Sequence, residues 1–170
     1  IGVQGIFWDV TDRERAEVEL RSSEARMRAI FNSSMDAMIF VDQDGRMVEL
    51  NRAAEVMFSC RRRDIQGSEF AEVFLSGDSR ARLQDSLLRY AGAGEIGSLI
   101  GRRLELTMMR RNGEEFYGEI ALQPIPLQRG AGFAIFIRDV TERRRYEAAL
   151  RQAKEVAEAA SQAKSLFVAN

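Results

Sequence analysis

Histidine is absent from all 170 residues, and cysteine occurs once, at Cys60. The first absence removes the commonest general base, the commonest haem ligand and the phospho-accepting imidazole from any function these residues carry. A single thiol makes no internal disulfide and, without histidine, no metal cluster, which fits a reducing cytoplasm. No apolar run approaches the roughly 20 residues that cross a bilayer, and no basic-then-apolar leader opens the sequence. Neither charge sign is in excess: the net charge is −1. No bulk field therefore draws the chain to nucleic acid or to an anionic membrane. No Gly-rich phosphate loop or pair of acids in an evident cleft is present either, so the expectation for this segment is a non-catalytic one.

What is present suits one globular core with residues to spare, since 45% of the side chains are hydrophobic and 30% charged. A junction also occurs twice. "FWDVTDRER" and "FIRDVTERRR" place Asp9 and Asp139 at an offset of 130, each behind an apolar run and ahead of charged helix formers. After the first copy, residues 12–31 hold no proline or glycine, and Ala16, Leu20, Ser23, Met27 and Ile30 recur at steps of four and three. That is an amphipathic helix with a coiled-coil seam.

Residues 37–41 and 46–50 then read as β-runs around Asp42-Gln-Asp-Gly45, a hairpin. Asn51 has the character of an N-cap for a short helix over 52–58, and further helical pieces put Phe70, Leu83 and Leu87 at inward positions. Strand alternation returns from Arg102, with a tight turn at Asn112-Gly113, an end to the second strand at Pro124 and Pro126, and a third strand over 132–139. Two strands, several helices and three strands make an α+β chain: a five-stranded antiparallel sheet with short helices on one face.

Residues 141–170 again lack proline and glycine. Tyr146, Ala149, Ala153, Val156, Ala160, Ala163 and Phe167 form one seam at steps of three and four. Nothing in its own domain is long enough to cover it, so a partner helix is implied, most simply from a second copy.

The order and spacing of "DAMIFVDQDGRMVELNRAAEVMF", "RRNGEEFYGEI" and "FIRDVTERRR" resemble a PAS domain over about residues 29–144. The resemblance implies a PAS fold flanked by amphipathic signalling helices. Residues 1–11 are then the last strand and exit of an upstream PAS domain, 12–33 a linker helix, 34–140 the PAS domain and 141–170 the outgoing helix. "SQAKSLFVAN" is similar to the lead-in to the dimerisation helix of sensor histidine kinases, which implies a signal-transmission role in such a kinase; the alternatives are a passive PAS dimerisation scaffold with a filled core, or a PAS module of a diguanylate cyclase. At the exit, Asp139 or Thr141 can accept from first-turn N–H groups, Asp139-x-x-Glu142 has the capping-box form, and Arg143 can reach the Asp139 carboxylate. The resemblance implies that this junction, besides capping the helix, passes strand movement to it.

The resemblance also locates a pocket between sheet and helices. Ile39, Val41, Met108, Phe116, Gly118, Ile135 and Ile137 alternate onto one sheet face. Met57, Phe58, Phe70, Leu83 and Leu87 meet them from the helices. All are apolar or glycine, which favours a filled core over an emptied ligand cavity. A haem-binding PAS domain needs a histidine on the long helix, and "SRARLQDSLLRY" has none. A LOV-type flavin site needs a cysteine after Gly67 and side-chain amides at the positions of Met108, Gly118 and Ile137, none of which can hydrogen-bond a flavin edge. Both cofactors are argued against, and no other is assigned. Arg61, Arg62 and Arg63 could lower the Cys60 pKa and make it redox-responsive, although a buried, inert thiol is the simpler expectation.

Overall fold

The alternating strands and their turns assemble into one sheet. In the computed structural model the backbone is described over residues 4–75, 77–93, 101–127 and 130–169, and side chains over the same residues outside 4–11 and 86–93. The elements are α1 (Gln4–Ser33), β1 (Ala37–Asp42), β2 (Met47–Leu50), α2 (Arg52–Met57), α3 (Arg62–Ile65), α4 (Phe70–Phe74), α5 (Gly77–Ala93), β3 (Arg103–Met109), β4 (Glu115–Leu127), β5 (Gly130–Asp139) and α6 (Thr141–Ala169). The sheet runs β2-β1-β5-β4-β3, antiparallel throughout. The first and last strands are therefore neighbours. Ala37 pairs with Ile137, so the chain entering from α1 and the chain leaving into α6 lie at adjacent strand ends.

Each turn has a local chemical cause. Asp42 Oδ1 accepts from the N–H of Asp44 and of Arg46 at 3.0 and 2.9 Å, and Gly45 takes the left-handed conformation that closes the β1–β2 hairpin. At the β3–β4 hairpin, Gly113 donates to Arg110 with φ of 86°, the position where a side chain would be strained. Strand β4 does not stop at its prolines. It runs through Pro124 and Pro126 to Leu127, paired with β5 as far as Gly130. The Leu122 carbonyl accepts from Gly101 on the β3 side, and residues 124 and 126 share its parity. Their missing N–H groups thus face an edge beyond the start of β3, where the ladder needs no donor.

One sheet face builds the core. Ile39, Val41, Met108, Phe116, Ile120, Leu122, Ile135 and Ile137 are buried, and Phe58, Phe70, Phe74 and Leu83 cover them from the helices. Phe58 stands 4.0 Å from Phe74 and 5.6 Å from Phe116, centroid to centroid, contacts that add to the area they bury. On the other face, Phe31 at the end of α1 packs on Phe40 at 4.9 Å.

The upstream strand expected over residues 1–11 is replaced, from Gln4 onward, by helix continuous with α1. A strand needs a neighbouring edge for its N–H and C=O groups, whereas a helix satisfies them within itself. Residues 1–3 lie outside the described part. Among the described residues no helix is long and apolar enough to cross a membrane.

Asn51 is the one buried polar residue described in the core. Its Oδ1 accepts from Met38 N and Ala54 N at 2.9 Å each, and its Nδ2 donates to the carbonyls of Phe31 and Asp36 at 3.1 and 3.0 Å. One side chain thus caps α2 and ties the end of α1 to the start of β1. Asn51→Ala is expected to lower the unfolding free energy by about 3 kcal/mol in urea titrations, because it orphans several buried backbone groups at once. A loss below about 1 kcal/mol would mean the network carries little.

Candidate functional site: the strand-to-helix junction

Burial alone would raise the pKa of the Asp139 carboxyl, but hydrogen bonds from the side chain and backbone of Thr141, and then from Arg110, outweigh it and hold the pKa below the ordinary value of 3.8. Oδ1 accepts from Thr141 N at 2.9 Å, and Oδ2 meets Arg110 Nη2 at 2.5 Å. The Val140 carbonyl accepts from Arg144 N, which makes Val140 the N-cap and Thr141 the first helical residue. Asp139 therefore closes a turn onto Thr141, and the capping box with Glu142 does not form. The Thr141 hydroxyl faces back to the sheet, accepting from Tyr117 N at 2.9 Å, while Val140 N donates to the Tyr117 carbonyl at 2.8 Å.

Arg143 does not reach Asp139. Its guanidinium lies 2.7 Å from Glu105 and 3.7 Å from Glu119. Helical rotation carries it to the outer sheet face, opposite the side from which Arg110 approaches. Arg144 joins it there, 3.6 Å from Glu105 and 4.3 Å above the Tyr117 ring. The first turn of α6 is consequently gripped from two sides, by Arg110 through Asp139 and by the β3–β4 carboxylates through Arg143 and Arg144.

Arg110 is the residue that sequence reasoning missed. Its side chain is 15% exposed, donates to the Met57 carbonyl at the end of α2, lies 3.2 Å from Glu114 and stacks 4.2 Å above Phe116. The signal was its parity. Arg110 continues the inward series of Leu106 and Met108 on β3, and an inward-facing arginine at a strand end must find a carboxylate. At the neighbouring strand end, Arg138 donates to both oxygens of Asp36 at 3.1 and 2.8 Å. These bonds, against the opposing pull of desolvation, lower the Asp36 pKa. The last residue before β1 is thereby joined to the residue preceding Asp139.

The expected pocket residues are brought together as a packed cluster. Ile39, Val41, Phe58, Phe70, Leu83, Met108, Phe116, Ile135 and Ile137 are buried and Met57 packs against them; the Leu87 side chain lies outside the described residues. A Cβ on Gly118 would fall 2.2 Å from the Met108 sulfur, so the space left by that glycine is taken by the methionine. The seam from Tyr146 to Phe167 runs along α6, none of whose described residues is buried. Cys60 behaves oppositely to a sensor thiol. Burial first, then the Glu55 carboxylate, pushes its pKa up to about 11, and Arg111 only partly offsets them.

An antiparallel sheet with helices on its inner face and an exit helix tied to the last strand defines an α+β module. The family model for the PAS fold matches residues 25–140, and this chain belongs to the PAS family. It is 27% identical over 150 residues to the sensor protein FixL of Bradyrhizobium diazoefficiens, covering 88% of this chain and 29% of that protein. It is likewise 27% identical over 158 residues to the cell-division control histidine kinase PdhS of Brucella ovis, covering 93% of this chain and 15% of that protein. Among solved structures, the PAS domain of an HTR-like protein from Haloarcula marismortui matches with a TM-score of 0.61 and 24% identity, over 74% of this chain and 98% of that one. The chain spans less than a third of the length of the curated relatives it matches.

Ionised Asp139 stabilises the junction at neutral pH, and because its folded pKa is depressed, that contribution declines as pH falls below about 4 and through the lower folded value. Asp139→Asn is accordingly expected to be less stable than the parent at pH 7, with the gap narrowing toward pH 3 in thermal melts. A gap independent of pH would contradict this. For Cys60, alkylation at pH 8 is expected to run roughly 100-fold slower than for a free cysteine, followed by mass spectrometry.

Proposed function

We propose that this chain is a non-catalytic sensory and signal-transmission module of a histidine-kinase-type sensor, working as a homodimer through α1 and α6. The observation that carries the reading is the contrast within α6. Its first turn is held by Asp139, Thr141, Arg143 and Arg144, whereas the rest of its 29 residues touch no core. A helix clamped at one end and unpaired along its length suits the passing of small sheet movements to a partner-dependent coil. The names of the relatives, a sensor protein and a histidine kinase, support a kinase parent over a diguanylate cyclase.

Input through α1 is favoured over input through a core ligand. Met108 fills the space beside Gly118, and the entry and exit of the domain are joined directly by Asp36 and Arg138. On this reading the core is a stiff plate between two helices, and a change in how α1 packs reaches α6 across the β1–β5 pair. A passive dimerisation scaffold shares the filled core but needs no link between entry and exit.

Sedimentation equilibrium of the chain tests the dimer. Val156→Glu is expected to weaken self-association by roughly 30-fold, because the charge enters the seam, while Glu158→Gln on the outer face leaves it unchanged. Equal behaviour of the two variants, or a monomer at high concentration, would overturn the reading. Spin labels at the ends of α1 and α6 separate transmission from scaffold: Asp36→Ala is expected to shift the α6 inter-copy distance, and a scaffold predicts no shift.

A further inference from the structure

Between α1 and α6, the two most exposed large apolar side chains described are Met35 at 96% and Val56 at 67%, well above the next, Tyr117 at 41%. Met35 and Val56 line the same groove. It encloses about 490 Å³, and Arg52, Ala53, Met57 and the Arg110–Asp139 pair also border it. The cause lies in α2, a six-residue helix that buries Ala54 in the core and leaves Arg52 and Val56, one turn apart, on its outer face. A single exposed valine is ordinary. Two large apolar groups sharing one groove mark an interaction site.

Arg52 also borders a second groove, of about 500 Å³, whose other lining residues are Glu55, Arg61, Arg62, Arg63 and Gln66. Four guanidinium groups thus face one carboxylate, and that carboxylate is taken. Glu55 Oε1 caps α3 by accepting from Arg62 N at 2.8 Å, while Oε2 lies 3.8 Å from Arg52. Arg62 is held by Glu49 at 3.2 Å. The remaining arginines are open to a partner. Arg61 is exposed and has no acidic partner among the described residues; Arg63 is 73% exposed and meets only the adjoining Asp64, at 3.5 Å; Arg52 is 74% exposed. Exposed pairs of this kind contribute little, so an incoming carboxylate displaces them at small cost.

The two grooves adjoin at Arg52, and an apolar patch is thereby continued by a basic one. That combination selects the occupant. A nucleic-acid backbone calls for cations alone, whereas Glu49, Glu55 and Asp64 stand among these arginines. A bilayer surface calls for a broad apolar face, and this one is two side chains wide. Carboxylates match the planar guanidinium fork, and methionine and arginine are side chains that protein interfaces enrich.

We infer that the outer face of α2, with Met35 and the start of α3, is a docking surface for an acidic segment of another protein. One large apolar side chain of that segment enters beside Met35 and Val56, and its flanking carboxylates pair with Arg52, Arg61 and Arg63. The surface goes beyond the transmission role proposed above and requires no second copy of the chain.

The test selects a random display library of about twelve-residue peptides on the full chain, then measures the enriched peptides, fluorescein-labelled, by anisotropy. Enriched sequences are expected to combine acidic with large apolar residues. Their affinity is expected to fall about tenfold in Val56→Ser and at least as far in the double variant Arg61→Gln, Arg63→Gln, and to stay unchanged in Arg82→Gln, which lines neither groove. Circular dichroism checks that each variant remains folded. A library that enriches nothing, enriched peptides without an excess of acidic residues, or equal binding to all the variants overturns the inference. Inorganic pyrophosphate or phosphatidylserine vesicles that bind as tightly as the best peptide, with the same dependence on the variants, would assign the patch to a bare anion or a membrane and overturn it as well.

Discussion

The pairing of Arg110 with Asp139 is the contact on which the rest of this structure turns. Asp139 ends the central strand of the sheet, and beyond it α6 runs for 29 residues with no core of its own. A backbone leaving a strand can take many directions. Here one carboxylate oxygen closes the turn onto Thr141 and the other is seized by a guanidinium that also holds the end of α2 and stacks on Phe116. The direction of the helix is thereby referred to three elements of the domain at once. Such a charge-assisted contact, partly withdrawn from water, is stronger and more directional than a surface ion pair.

The entry side uses neutral chemistry for the same end. Asn51 spends both donors and both acceptors on Phe31, Asp36, Met38 and Ala54, which fixes the end of α1 to the first strand without burying a charge. Between entry and exit lies a single antiparallel strand pair, bridged on its outer side by Asp36 and Arg138. Packed cores shift little and transmit strain. A filled interior is thus suited to carrying displacement from one helix to the other, and the salt bridges at its rim tie the strand ends to which both helices attach.

Much of this was legible in the residues. The Asn51 cap, both hairpin turns, the inward strand positions and the exit at Thr141 stem from local rules, because each depends on a side chain and backbone groups a few residues away. The contacts that escaped are those that only the folded sheet creates. Asp139 finds Arg110 from another strand instead of Arg143 from its own helix, and the prolines of β4 sit inside a strand because β3 begins too late to need their hydrogens. For the thiol of Cys60 the simpler expectation, a buried and inert group, agrees with the structure: burial and Glu55 govern its pKa, and the three adjacent arginines do not depress it. The duplicated Asp-Val-Thr is a further case, since its first copy lies in helix from Gln4 onward, with no sheet edge beside it among the described residues.

Amide hydrogen exchange across α6 in the parent and in Arg110→Met tests the central claim most directly. If the Arg110–Asp139 pair fixes the helix, the amides of the first two turns, beginning with Arg144, lose protection in the variant while those of β1 and β5 keep theirs, because the substitution releases the helix from a sheet that stays folded. Unchanged protection at Arg144, or an equal loss over the sheet and the helix, would contradict it.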